Sequence, residues 1–217
     1  IKTLTEGLRG LMIWTGLQVD IAKLENDKFK KQNAEDWVAL MTPIIKSFAT
    51  DVGCQATNLA VQIYGGHGYI KDHGIEQLLR DARIATIYEG TNGIQALDLV
   101  GRKMPMHTGR LLKSFFHVVK EYLEKNSFNY NLNEFIPPLA KSFGRLQQVT
   151  TFVASKGLID PDEAAGPAVD YLKMFSLVAI GYIWTRYAEI AGNKQNDDPE
   201  GFYKAKMASG KYYMTKI

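Results

Sequence analysis

The chain has 217 residues, 46% of them hydrophobic and 23% charged, so it can bury the core of one large domain or two small ones, and wholesale disorder or collagen-like repetition is excluded. Its 26 basic residues are offset by 23 acidic ones along the whole length, and the net charge of +3 lacks the basic concentration of a nucleic-acid binder. The single cysteine, Cys54, excludes an internal disulfide and a thiolate zinc cage; the four histidines, His67, His73, His107 and His117, form neither a His-Glu-x-x-His pattern nor an i, i+4 pair, so no metal site is expected.

The chain opens Ile1-Lys2-Thr3, with no initiator Met, signal peptide or transit segment, and enters a helical pattern at once, as a piece of a longer protein would. Leu4, Leu8, Leu11, Met12, Thr15, Val19 and Ala22 recur at steps of three and four, which predicts an amphipathic helix over 4–24. The polar run 25–33 reads as a loop, followed by a short helical piece over 34–40. Thr42 as N-cap and Pro43 in the first turn predict a long helix over 43–64, with Ile44, Ile45, Phe48, Val52, Leu59 and Ile63 on its buried face. Gly65-Gly66-His67-Gly68 ends it, a turn through 71–74 leads to a helix over 75–85, and Thr91 or Asn92 caps a fourth helix with the face Ile94, Leu97, Val100, Met104.

Pro105 marks a boundary. Beyond it Leu111, Leu112, Phe115, Val118, Val119 and Tyr122 form one helical stripe, ended by the Asn-rich turn 126–133, and a further helix is expected over 137–156. Asp160-Pro161-Asp162-Glu163 has the pattern of a capping box for a long helix reaching about residue 191. Its apolar centre, 174–184, is about half the ~20 residues a membrane span needs, and so reads as buried core. Asp197-Asp198-Pro199-Glu200 repeats the start signal for a last helix to Tyr213. No segment alternates with a period of two, so the fold class is all-α, with one bundle over 1–106 and a second over 107–217. The aromatics Tyr182, Trp184, Tyr187, Tyr203, Tyr212 and Tyr213 read as core and interface.

Packing alone explains the stretch 62–95 poorly. Gln62-Ile63-Tyr64-Gly65-Gly66-His67-Gly68-Tyr69 places three glycines at a helix end, where one suffices for a cap and three suit a close approach by backbone or ligand. It is no dinucleotide fingerprint, since no strand precedes it. Arg80-Asp81-Ala82-Arg83 fits surface charge pairing. In Ile87-Tyr88-Glu89-Gly90-Thr91-Asn92-Gly93-Ile94-Gln95, Glu89 is either an exposed loop residue or an acid projecting into a cavity between helices.

Taken in order, Gln62-x-x-Gly65-Gly66-x-Gly68, Glu76-x-x-x-Arg80-Asp81-Ala82 and Ile87-Tyr88-Glu89-Gly90-Thr91-x-x-Ile94-Gln95 closely resemble the C-terminal helical domain of the flavin-dependent acyl-CoA dehydrogenases. The likeness covers about 2–104, as that bundle without its first helix; the stretch 107–217 resembles the helical domain appended in a larger, mainly bacterial group, with a packing role or a role at the acyl or CoA entrance. The resemblance implies oxidation of an acyl-CoA to the trans-2-enoyl-CoA with FAD as hydride acceptor, and Glu89 as the base that takes the α-proton. Burial beside an acyl chain would raise its pKa toward working pH. It also implies Gly90 and Tyr88 against the substrate, although Tyr88 fits core packing equally, and Thr91, Asn92 and Gly93 at FAD. Residues Gln62, Ile63, Tyr64, Gly65 and Gly66 then reach the FAD of a neighbouring subunit, and Arg80-Asp81 is a structural ion pair. Glu89 at this place argues against the subgroup that carries its base on an earlier helix.

The implied partners are an acyl-CoA substrate, an electron-transfer flavoprotein or similar acceptor, and a second copy in a homodimer or dimer of dimers, in the bacterial cytoplasm. Nucleic acid and membrane are not indicated. The usual first bundle helix and the domains before it, which hold most of the flavin site, have no counterpart in this sequence, so the chain alone is expected to bind FAD weakly or not at all. The reading from another class is a non-catalytic helical oligomerisation or interaction module.

Overall fold

A computed structural model describes residues 1–194 and 198–217, and every regular element among them is helical. The order is α1 (Lys2–Leu24), α2 (Lys28–Tyr64), α3 (Gly66–Tyr69), α4 (Ile75–Ile84), α5 (Asn92–Asp98), α6 (Met106–Lys125), α7 (Ile136–Gly157), α8 (Pro161–Ala165), α9 (Ala168–Asn193) and α10 (Phe202–Lys216). A 3-10 turn, Lys71–His73, precedes α4. A π turn, Leu99–Lys103, follows α5.

The polar run after α1 is mostly helix rather than loop. Asp27 accepts from the N–H groups of Phe29 and Lys30 and so caps α2 at Lys28, fifteen positions before the expected start at Thr42-Pro43. Pro43 lies inside α2, where it removes one backbone donor, and the Thr42 hydroxyl turns back to Val38 O (2.6 Å) instead of capping. Buried Ala34, Trp37, Leu40, Met41 and Ile44 keep one face of α2 in the core through the proline.

Three further expectations change. Ile94 and Leu97 are 55% and 44% exposed, while Ala96, Leu99, Val100 and Met104 are buried. Met104 N bonds to Leu99 O, five residues back, and this wider turn shifts the apolar face by one position. The helix foreseen from Asp160 breaks at Gly166-Pro167 into α8 and α9, because Pro167 has no N–H to continue the ladder. Asp160 still caps, accepting from Asp162 N (3.0 Å). In the last start signal Asp197 lies outside the described residues; Asp198 accepts from Lys204 N (2.9 Å) and α10 begins at Phe202.

The core is continuous across both halves of the sequence. Tyr171, Phe175, Ile180, Tyr182 and Trp184 of α9 are at most 1% exposed and pack with Leu11 of α1, Trp37 of α2 and Phe115 of α6. Trp14, Trp37, Phe115 and Phe175 form an aromatic column with successive centroids 4.0, 5.9 and 4.8 Å apart. A Cβ on Gly7 would lie 2.5 Å from Ile180 Cγ2, so only glycine lets α1 come this close to α9. The Trp184 indole donates to Thr3 O at the start of α1 (3.2 Å). Tyr213 of α10 is buried too, whereas Tyr212 is 55% exposed.

Between α6 and what precedes it the backbone reverses sharply. His107, Thr108 and Gly109 take φ of 51, 58 and 76°, all left-handed, so regular helix resumes only at Arg110. No helix among the described residues is long and apolar enough to cross a membrane.

Candidate active site

The outer half of α2 carries α3, α4 and the loop 85–91 as a layer lacking an apolar core of its own. From residue 53 to residue 95 only Gly68 is buried. Leu59 and Ile63, expected on the buried face of α2, are 48% and 73% exposed, left uncovered among the described residues. What joins the layer to α2 is chiefly polar.

After α4, Ile87 N and Tyr88 N both donate to Ile84 O (3.0 and 3.2 Å), and Cys54 Sγ holds Ala82 O at 3.4 Å. The chain then turns with two successive left-handed residues, Glu89 (φ 54°) and Gly90 (φ 86°). Gly90 suits that conformation; for a glutamate it costs about 1–2 kcal/mol. Tertiary hydrogen bonds offset the cost. Lys46 Nζ donates to Gly90 O (2.6 Å) and to Asn92 Oδ1 (2.9 Å), and Gln95 Nε2 donates to Glu89 O (3.2 Å). Asn92 Nδ2 reaches Ser47 O (3.1 Å), Thr50 Oγ1 (3.0 Å) and Asp51 Oδ1 (2.7 Å).

This geometry separates the residues singled out in sequence. Glu89 is exposed rather than set in a cavity, and Tyr88 is 51% exposed rather than core. Grooves among the described residues include one of about 330 Å³ lined by Leu139, Met174, Leu177 and Tyr213, and one of about 390 Å³ lined by Leu8, Met12, Ile13 and Val52, both away from Glu89. Enclosure of Glu89 therefore needs a surface that these helices do not supply. Asn92 is turned inward, with its side chain committed to α2 and its N–H to Thr86 O (3.3 Å), so it tethers the loop. Thr91 and Gly93 are exposed beside it, and the start of α5 has no side-chain cap.

Gln62, Ile63, Tyr64, Gly65 and Gly66 are all exposed at the far end of α2, about 16 Å from Asp51 at ~1.5 Å per helical residue. The structure thus keeps the two expected flavin-contacting segments apart along α2. Gly65 ends α2 with φ 59°, and the three-glycine run divides by function: a Cβ on Gly68 would strike Val61 O at 2.6 Å, while Gly65 and Gly66 face open space. His67 Nδ1 and His73 Nε2, 3.0 Å apart, close the turn between α3 and α4. Arg80 pairs with Glu76 (3.9 Å) rather than with Asp81, which accepts from Gln77 Nε2 (2.6 Å), since residues four apart on a helix share a face and adjacent ones do not.

Lys46 and Thr50 were not singled out in sequence, and Gln95 stood only as the last residue of the motif, with no role. A signal existed in the pair Lys46 and Thr50, polar residues four apart beside the apolar Ile44, Ile45 and Phe48, which marks a half-buried polar stripe.

Set against known proteins, residues 18–104 match the family model described as "Acyl-CoA dehydrogenase, C-terminal domain", and residues 115–217 match "Acetyl-CoA dehydrogenase C-terminal like". The chain belongs to the acyl-CoA dehydrogenase family. Among the relatives of this family member, 3-methylmercaptopropionyl-CoA dehydrogenase of Ruegeria pomeroyi is 40% identical over 55% of this chain and 20% of its own length. A butyryl-CoA dehydrogenase of Syntrophomonas wolfei is 25% identical over 100% of this chain and 36% of its own. The chain therefore spans about a third or less of the relatives it matches. The crystal structure of Caenorhabditis elegans ACDH-11 in complex with C11-CoA shares the fold, with a TM-score of 0.79 and 18% identity over 100% of this chain and 34% of that one. An acyl-CoA dehydrogenase C-terminal helical architecture is thus established for the chain, and members of the family generally use FAD.

Proposed function

We propose that this chain is the C-terminal part of an FAD-dependent acyl-CoA dehydrogenase in which Glu89 removes the α-proton of an acyl-CoA thioester, yielding the trans-2-enoyl-CoA. The observation that carries the reading is the conformation of the motif itself: Glu89 is held left-handed and outward by Lys46 and Gln95, presenting a carboxylate on a fixed backbone. FAD, when bound, accepts the hydride that leaves the β-carbon.

The residues present fit such a group. Gly65 and Gly66 have no heavy atom within 4 Å of where a Cβ would stand, so a ligand can lie against their backbone. Thr91 and Gly93 offer exposed, uncapped backbone at the start of α5. Gln62, Ile63, Tyr64, Gly65 and Gly66 would hold the adenosine end of a flavin seated on a second subunit, while Thr91 and Gly93 would contact the flavin near the base. Gly90, without a side chain, would let the thioester lie beside Glu89; Tyr88 would flank the acyl chain. Asn92 serves this arrangement from behind, by anchoring the loop.

Exclusion of water from Glu89 falls to surfaces beyond these helices, the second subunit of a homodimer or dimer of dimers among them. An electron-transfer flavoprotein or similar acceptor, a cytoplasmic location, and sequence units meeting near residue 106 belong to the same reading.

A second reading, a helical interaction module without catalysis, draws on the exposed Leu78, Ile84, Ile87 and Ile94, each 49–56% accessible. One experiment separates the two. The natural gene product that carries these residues is assayed for a bound flavin spectrum and for acyl-CoA-dependent dye reduction. The proposal expects turnover that falls at least a thousandfold in Glu89→Gln with flavin retained; intact turnover in that variant would sink it.

A further inference from the structure

We propose that Lys46 is the positioning residue of the Glu89 loop, holding the base in its working orientation through the carbonyl of Gly90 and the side chain of Asn92. This rests on the reading of Glu89 as the base. Three observations lead to it. The loop places a glutamate and a glycine in succession in the left-handed region. Lys46 supplies two contacts there at once, at 2.6 and 2.9 Å, from a half-buried place on α2 forty-three positions before Glu89. Among the described residues no carboxylate lies within ion-pairing distance of Lys46, so its ammonium is directed at the loop rather than neutralised by an acid.

The rest of the cluster is built to keep Lys46 and the loop together. Asn92 accepts from Lys46 through its oxygen and donates through its nitrogen to Ser47 O and Asp51 Oδ1, so one side chain spans both ends of a helical turn of α2. Gln95 holds the opposite side of the same reversal at Glu89 O. The ammonium fixes the backbone that aims the carboxylate.

The test is made on the natural gene product, with Lys46→Met, Lys46→Arg and, as a control on the parent reading, Glu89→Gln. Lys46→Met is expected to keep flavin content and melting temperature near those of the parent, and to lower kcat about a hundredfold with KM for the acyl-CoA changed less than threefold. Lys46→Arg, which keeps the charge and a donor, restores part of kcat with KM unchanged. If Lys46→Met does not fold, Lys46→Gln takes its part, and the required order of kcat is Lys, Arg, Gln. Equal kcat across the lysine variants, or a loss carried by KM instead of kcat, with Glu89→Gln inactive, overturns the role of Lys46 alone; an active Glu89→Gln overturns the assignment of the base beneath it.

Discussion

Asp36 of α2 and Arg110 of α6 form a forked ion pair: Nε and Nη2 of the guanidinium donate to the two carboxylate oxygens at 2.6 and 3.0 Å, with the Asp36 side chain only 5% exposed. Gln32 donates to the same carboxylate (3.2 Å). The pair sits just beyond the three left-handed residues 107–109 and so fastens the reversal between α5 and α6 to the middle of α2. Removal of the arginine leaves a buried carboxylate with a single neutral partner. Arg110→Ala is expected to lower unfolding free energy by about 2–4 kcal/mol in a urea titration, and Arg110→Lys by less. A loss below ~0.5 kcal/mol for Arg110→Ala would count against the pair as a structural tie.

The glycines make a second prediction. A Cβ at position 7 meets Ile180 Cγ2 at 2.5 Å and the Trp184 indole nitrogen at 2.8 Å inside the shared core, whereas one at position 16 meets nothing within 4 Å. Gly7→Ala should therefore cost roughly 1–3 kcal/mol by overpacking α1 against α9. Gly16→Ala should be neutral or stabilise by up to ~1 kcal/mol, since alanine is the better helix former. Equal melting temperatures for the two variants would contradict the close approach of α1 and α9.

Alkaline pH tests the buried tyrosines. Burial pushes the phenols of Tyr171 and Tyr213 well above their ordinary value of 10.0, and burial together with the hydrogen bond to Glu189 does the same for Tyr122. The folded value lies above the unfolded one, so the stability they contribute is fully present below about pH 10 and is lost as pH rises beyond it. For Tyr171 and Tyr213 the loss is about 1.4 kcal/mol per pH unit each. A spectrophotometric titration of the 11 tyrosines should show a fast exposed class and a class that ionises only as helical circular dichroism collapses. Ionisation of all of them with helicity intact contradicts the burial.

The layer formed by α3, α4 and the loop should bind hydrophobic dye. Tyr69, Leu78, Ile84 and Ile87 are exposed there at 80, 53, 56 and 49%. The 217-residue chain is expected to enhance the fluorescence of an anilinonaphthalene probe, and Leu78→Glu with Ile84→Glu to reduce that signal by about half or more. Dye binding untouched by these changes places the accessible apolar surface elsewhere.

Much of the fold was legible along the chain because helix signals are local. The stripe of α6 from Leu111 to Tyr122, the Asp160 cap and the glycine end of α2 each follow from residues within a turn or two. Errors came where a distant partner decides. Pro43 looked like a helix start, yet apolar contacts on both sides of it hold α2 straight through; Ile94 and Leu97 looked buried until the π turn at Leu99 shifted the register. In the candidate site the motif from Tyr88 to Gln95 was visible as a string, but Lys46 lies far from it in sequence, and its part depends on a contact that no local pattern encodes.

The amino-acid sequence by itself determined the helical class, the approximate extent of several helices and the motifs that carry the family resemblance, since periodicity, caps and spacing are short-range properties. Only the tertiary structure decided that both halves share one core, that Asn92 faces inward, and that Glu89 is held outward by Lys46 instead of lying in a cavity. Those outcomes depend on which surfaces meet, and meeting is set by packing between residues that are distant along the chain.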